Sequence, residues 1–167
     1  MPKSQSEFGG SLSKNKRKSK RPLNVKRPIH IVFRSTKAIH KFSLFHPNNK
    51  ANINALVYDL SLKYKIRIYN FVNSGNHLHL LIHSKDKLNL QNYFRELASK
   101  IALFIYSGKG KFWTSIVYTK LLSWGKQFKN VDHYLIQNEL EVLKAIPYQS
   151  RRIGCSKKKC FLILNSG

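Results

Sequence analysis

Apolar positions along the chain change period several times, and each change marks an element. Residues 28–35 (PIHIVFRS) are apolar and β-branched and predict a buried strand. From Asn52 to Tyr64, Ile53, Leu56, Val57, Leu60 and Tyr64 recur at helical spacing, with Asn52 as the expected N-cap. Residues 66–72 (IRIYNFV) and 77–83 (HLHLLIH) read as two strands of a hairpin, joined by the turn-forming residues 73–76 (NSGN). Leu90, Tyr93, Phe94, Leu97, Ile101, Phe104 and Ile105 predict a second helix, ended by the glycines at 108 and 110. Residues 115–124 (SIVYTKLLSW) predict a fourth strand, and residues 131–144 a third helix that stops before Pro147.

The order β-α-β-β-α-β-α predicts an α+β fold. Its first six elements match the split βαβ, ferredoxin-like (RRM-like) arrangement, an antiparallel sheet with helices on one face. The other face is then open to a ligand or a nucleic acid strand. This domain spans residues 28–146. Residues 1–27 hold nine Lys or Arg against the single acid Glu7 and show no hydrophobic period, so they read as a flexible basic arm. Residues 147–167, with Arg151, Arg152 and a Lys run at 157–159, read as a basic C-terminal segment.

Charge then narrows the partners. Thirty-one Lys and Arg against seven Asp and Glu give a net charge of +24 over 167 residues. A body this basic repels itself unless a polyanion lies against it, and nucleic acid is the usual one. No apolar stretch approaches the roughly 18 residues of a membrane span, and the N-terminus lacks the apolar core of a secretory signal. Cys155 and Cys160 have no second pair or nearby His to complete a zinc site, so a reduced, cytoplasmic protein is expected. A membrane partner and a small-molecule substrate are not expected.

One strand carries candidate chemistry. His77 and His79 are two residues apart, so both side chains leave the same face, about 6.6 Å apart along the strand. Two imidazoles so spaced can converge on one cation, while Leu78, Leu80 and Ile82 point the other way into a core. The same pair could equally decorate an open sheet face. His83 shares that face as a bystander or phosphate contact, and His30, His40 and His46 read as ordinary surface or packing residues.

The segment NHLHLLI at 76–82 resembles the His-hydrophobe-His signature of HUH endonucleases. It is most similar to the small insertion-sequence and REP-associated transposases that use a single tyrosine. The opening PIHIVFRSTK and its spacing to the His pair are similar as well. The resemblance covers roughly residues 28–143, and it favours His77 and His79 as metal ligands.

It also implies a nucleophilic tyrosine on a downstream helix, with a polar residue four positions on that helps hold the metal. Tyr134 in VDHYLIQNELEVL matches, with Asn138 as the amide and Gln137 as the alternative should the helix be rotated. On a helical wheel Leu135, Ile136, Leu140, Val142 and Leu143 share one broad side. Tyr134 lies nearly opposite its centre and one turn from Asn138. Tyr118 is the second candidate nucleophile.

The resemblance thus implies an enzyme with Mg2+ or Mn2+ as cofactor. It would cut and rejoin single-stranded DNA through a 5′-phosphotyrosine, as in DNA transposition. The DNA would carry a hairpin, and the enzyme could work as a homodimer. Arg34, Lys120, Arg151 and Arg152 are expected to meet phosphates. Trp113, with Phe112, Tyr118 and Trp124, could stack on bases. The competing expectation is a non-catalytic RNA- or DNA-binding module of RRM-like or ribosomal type.

Overall fold

A computed structural model of the chain describes residues 8–9, 23–107 and 110–148. Within them the elements run β1 (Phe8–Gly9), β2 (Ile29–Arg34), α1 (Pro47–Lys63), β3 (Arg67–Asn73), β4 (His77–His83), α2 (Lys87–Tyr106), β5 (Tyr118–Leu121) and α3 (Lys126–Val142). The strands form one sheet in the order β1-β5-β2-β4-β3, with every neighbouring pair antiparallel. From β2 onward this is the α+β, split βαβ arrangement expected from the hydrophobic pattern. Within the expected basic arm, Phe8 and Gly9 pair with Lys120 and Thr119 of β5 and add a short edge.

Local chemistry explains the boundaries. Helix α1 starts at Pro47, five residues before the expected Asn52. Proline at the first turn has no N–H to leave unsatisfied, and the His46 side chain accepts from the Asn48 N–H. Asp86 caps α2 by accepting from the N–H groups of Leu88 and Asn89. The β3–β4 turn needs Gly75 at φ 86°, a region that side chains disfavour. The amide of Asn73 fixes that turn by donating to the Leu44 carbonyl at 2.7 Å. The strand expected over 115–124 shrinks to Tyr118–Leu121. Thr114 instead ties this stretch to the end of β2, its N–H donating to Arg34 O at 3.0 Å and its hydroxyl accepting from Thr36 N–H at 2.8 Å.

The two sheet faces bury different things. Ile29, Ile31 and Phe33 of β2 and Leu78, Leu80 and Ile82 of β4 face α1 and α2. There they meet Ile53, Val57, Leu60, Leu90, Tyr93, Leu97 and Ile101. On the other face lies a smaller cluster of Val72, Leu81, Leu122 and Leu135, flanked by Tyr69, Phe128, Val131 and Tyr134. Helix α3 therefore lies over β3 and β4, and the face expected to be open is partly covered. A hydrogen bond of 2.9 Å from the Asn70 amide to Asp132 fastens the helix to β3.

Helix α3 is turned from the expected orientation. Leu135 is fully buried, but Ile136, Leu140 and Leu143 are exposed, and Tyr134 packs toward the sheet. The apolar side read from the wheel was centred too far round. Starting at Lys126 rather than Val131 brings in Phe128, which with Val131 and Leu135 defines the side that docks.

Candidate active site

The face covered by α3 collects the polar residues of the central strands. Cross-strand partners share a face, and the register pairs Arg34 with His77, Val32 with both His79 and Tyr118, and His30 with Lys120. His30 and Arg34 (β2), His77 and His79 (β4), and Tyr118 and Lys120 (β5) thus look the same way. The rings of His77 and His79 stand 4.6 Å apart between centroids at 83°. Residues i and i+2 of the strand thus place their rings side by side on one face.

From the last helix, Tyr134 brings its ring to 5.9 Å from that of His79, edge to face at 85°. Asn138 follows one turn later and is half-buried, as is Gln137. The histidine pair and Tyr134 are therefore brought together by β4 and α3, elements separated by more than 40 residues of chain.

The structure adds a residue that the sequence reading set aside. His30 is buried, and its Nε2 lies 3.1 Å from Nδ1 of His79, with the two rings nearly parallel at 13° and 5.3 Å between centroids. The edge of Tyr118 closes on the other side of His30, at 6.3 Å. Strand parity was the available signal, since His30 and Arg34 alternate with the apolar Ile29, Ile31 and Phe33. It could not be used without knowing that β2 pairs with β4.

Electrostatics sets the protonation of these rings. Burial, and then the charge of Lys120, lower the His30 pKa to about 4. Burial, and then Arg34, lower that of His77 to about 4. Both rings are neutral near pH 7, the state in which an imidazole keeps a lone pair for a metal.

The donor set has a consistent sense. His77 Nδ1 is held by the Asn76 side-chain oxygen, and His79 Nδ1 by His30. Nε2 is therefore the nitrogen each ring could offer a cation. Among the described residues no group of three or more His, Cys, Asp or Glu gathers as a metal cage. Two imidazoles and an amide oxygen would make a mixed N/O set of the kind that suits a divalent ion working at a phosphate, and Asn138, one turn from Tyr134 on α3, is the residue expected to offer that oxygen.

Other expected site residues fall elsewhere. Trp113 packs against Phe33 and Phe112 on the side of the sheet that carries α1 and α2, its indole N–H donating to Ala98 O at 2.8 Å. The fold does not bring it to the histidines, and Phe112 is buried. Trp124 is half-exposed beside His83 and Tyr69, with its N–H on Lys26 O. Arg151, Arg152, Cys155 and Cys160 lie outside the described residues. No helix among the described residues is long and apolar enough to cross a membrane.

Residues 25–139 match the model of the IS200-like transposase family. No curated protein matches the chain. Among solved structures, the chain is similar to a crystal structure at 1.90 Å resolution of a candidate transposase from Deinococcus radiodurans R1. The two share 15% identity over 74% of this chain and 98% of that one, with a TM-score of 0.46.

Proposed function

Because the match over residues 25–139 takes in more than half of its length, the chain belongs to the IS200-like transposase family, and we propose that it cuts and rejoins single-stranded DNA through a covalent bond to Tyr134. The family makes it a DNA-processing enzyme with DNA as its partner. The observation that carries the finer reading is the edge-to-face approach of Tyr134 to His79, on the face that also presents His77, Arg34 and Lys120.

In this reading, Arg34 and Lys120 attract backbone phosphates to the face that carries the His pair. His77, His79 and the amide of Asn138 would hold a divalent ion, Mg2+ or Mn2+, whose chemistry is to polarise the scissile phosphate. The phenol oxygen of Tyr134 attacks phosphorus, and the proton it loses is balanced by the one that the departing 3′ oxygen takes up. One P–O bond forms to the tyrosine, one breaks to the upstream 3′ oxygen, and that oxygen leaves as a 3′-OH. The product is a 5′-phosphotyrosine. Since one phosphodiester replaces another, a 3′-OH can attack in turn and restore a DNA strand without ATP.

A DNA-binding module without chemistry is the competing reading. RNA-recognition modules place aromatic residues on the central strands for stacking. Here the rings that the central strands β2 and β4 place on this face are His30, His77 and His79 rather than Phe, Tyr or Trp, which favours chemistry over stacking.

The test incubates the full chain with labelled pools of single-stranded hairpin DNA and Mn2+ or Mg2+. A protein–DNA adduct that survives denaturation, and disappears with a chelator and with His77→Ala combined with His79→Ala, is expected. DNA binding without an adduct across a broad pool would support the binding module instead.

A further inference from the structure

The proposed chemistry leaves His30 without a role, yet it occupies the middle of the sheet at 9% exposure. A buried imidazole destabilises the fold unless its polar atoms are paired, and the partner here is another imidazole, 3.1 Å away. Two neutral imidazoles share one hydrogen bond only in opposite roles, one nitrogen bearing the proton and the other the lone pair. If His30 Nε2 donated, His79 would have to carry its own proton on Nε2 and could not ligate through that atom. If His79 Nδ1 donates, the lone pair stays on its Nε2.

The neighbouring histidine offers a parallel for the second arrangement. His77 Nδ1 faces the side-chain oxygen of Asn76, an atom that only accepts, so His77 is protonated on Nδ1. The same state in His79 leaves each ring a lone pair on Nε2, on two rings whose centroids are 4.6 Å apart.

We propose that His30 is a positioning residue, whose Nε2 accepts from His79 Nδ1–H and so fixes the tautomer and ring orientation with which His79 meets a divalent cation. The near-parallel set of the two rings, braced on its far side by Tyr118, holds that orientation. A ligating histidine usually has its second nitrogen fixed by a carboxylate, carbonyl or water. Here an imidazole takes that part, and because its Nε2 is spent on His79 it is not itself a ligand through that atom. The purpose of the pairing rests on the metal-dependent reading above, whereas the pairing itself can be tested without metal.

The experiment records long-range 1H–15N correlations of histidine rings in the full, metal-free chain. The His79 signals should show the Nδ1-protonated pattern. In His30→Phe, which keeps a ring in the space but offers no acceptor, that preference should be lost. Mn2+ affinity of the protein alone, measured by calorimetry, should fall by about 10- to 100-fold. His30→Gln, whose side-chain oxygen can stand near the Nε2 position, should recover most of that affinity. A wild-type His79 protonated on Nε2, or a folded His30→Phe that binds Mn2+ as wild type does, would overturn the proposal. If His30→Phe fails to fold, the wild-type spectrum and His30→Gln still decide. The expected tautomer, together with Mn2+ binding that ignores His77 and His79, would support the pairing and remove the metal from the proposed function.

Discussion

Tyr134 stands edge-on to His79 with 5.9 Å between ring centroids, although 55 positions separate the two in sequence. That relationship exists only while α3 is docked across β3 and β4. Docking rests on a small cluster, Val72, Leu81, Leu122 and Leu135 with Phe128 and Val131, and on the hydrogen bond from Asn70 to Asp132. The larger core under α1 and α2 does not depend on it. The place of Tyr134, the proposed nucleophile, is therefore set by a packing cluster much smaller than the main core.

Leu135→Ala should accordingly loosen the helix selectively. Leu135 is fully buried, and removing such a side chain costs about 2–5 kcal/mol. Amide exchange should accelerate along α3 while β2 and β4 keep their protection, because those strands are held by the other core. Uniform acceleration through the whole domain would show that α3 does not open on its own.

Metal binding should depend on position along β4 rather than on histidine content. His77→Ala or His79→Ala should each weaken Mn2+ by at least about ten-fold in a calorimetric titration. His83→Ala should leave it unchanged. That ring lies roughly 13 Å along the strand from His79 and is engaged with the carbonyl of Val25 at 2.8 Å.

Much of this was legible in the sequence, and the exceptions have physical causes. The strand at 77–83 was readable to the residue, because alternation of His with Leu, Ile and Leu leaves only one register with a dry face. Helix starts were not. The first turn of α1 is polar, that of α3 has Phe128 alone among polar residues, and Gly125, at φ 90°, precedes α3 with no capping side chain to announce it. The side of α3 that docks was misjudged because Ile136, Leu140 and Leu143 look like a core stripe yet stay exposed. Trp113 looked like a stacking residue until the bend at 113–116 put it under the sheet. His30 could not be linked to His79 from spacing, since their meeting depends on which strands pair.

Acid should destabilise the metal-free protein in a defined window. The His30 pKa is lowered from 6.5 to about 4, so the unfolded chain takes up a proton below about pH 6.5 that the folded chain refuses until about pH 4. Stability must fall as pH drops through that interval, by on the order of 3 kcal/mol from this ring, and His77 acts in the same direction. Glu96 extends the loss at lower pH. Its hydrogen bonds from Lys63, Tyr64 and Lys100 hold its pKa at about 2, below the ordinary 4.5, and that contribution disappears as pH falls from 4.5 toward 2. Urea melts of chelator-treated protein between pH 7.5 and 4 should show the first loss, and His30→Gln should reduce it to the part that His77 contributes. Equal midpoints across that range would contradict the neutral, buried ring.

Arg34 and Lys120 should be visible in the salt dependence of single-stranded DNA binding. Each phosphate contact to a single strand contributes about 0.7 to the slope of log affinity against log salt. Arg34→Ala and Lys120→Ala should each reduce the slope by about that amount. Trp113→Phe should leave the slope unchanged and alter stability instead, since that indole packs against Phe33 and donates to Ala98 O.

Whether Tyr134 forms the covalent bond is decided by identifying the residue that carries the DNA. Protein trapped on cleaved hairpin DNA would be digested with protease and nuclease and the nucleotide-bearing peptide sequenced by mass spectrometry. The nucleotide is expected on Tyr134, and no adduct is expected from a folded Tyr134→Phe variant. A nucleotide on Tyr118, or an adduct that survives Tyr134→Phe, would contradict it.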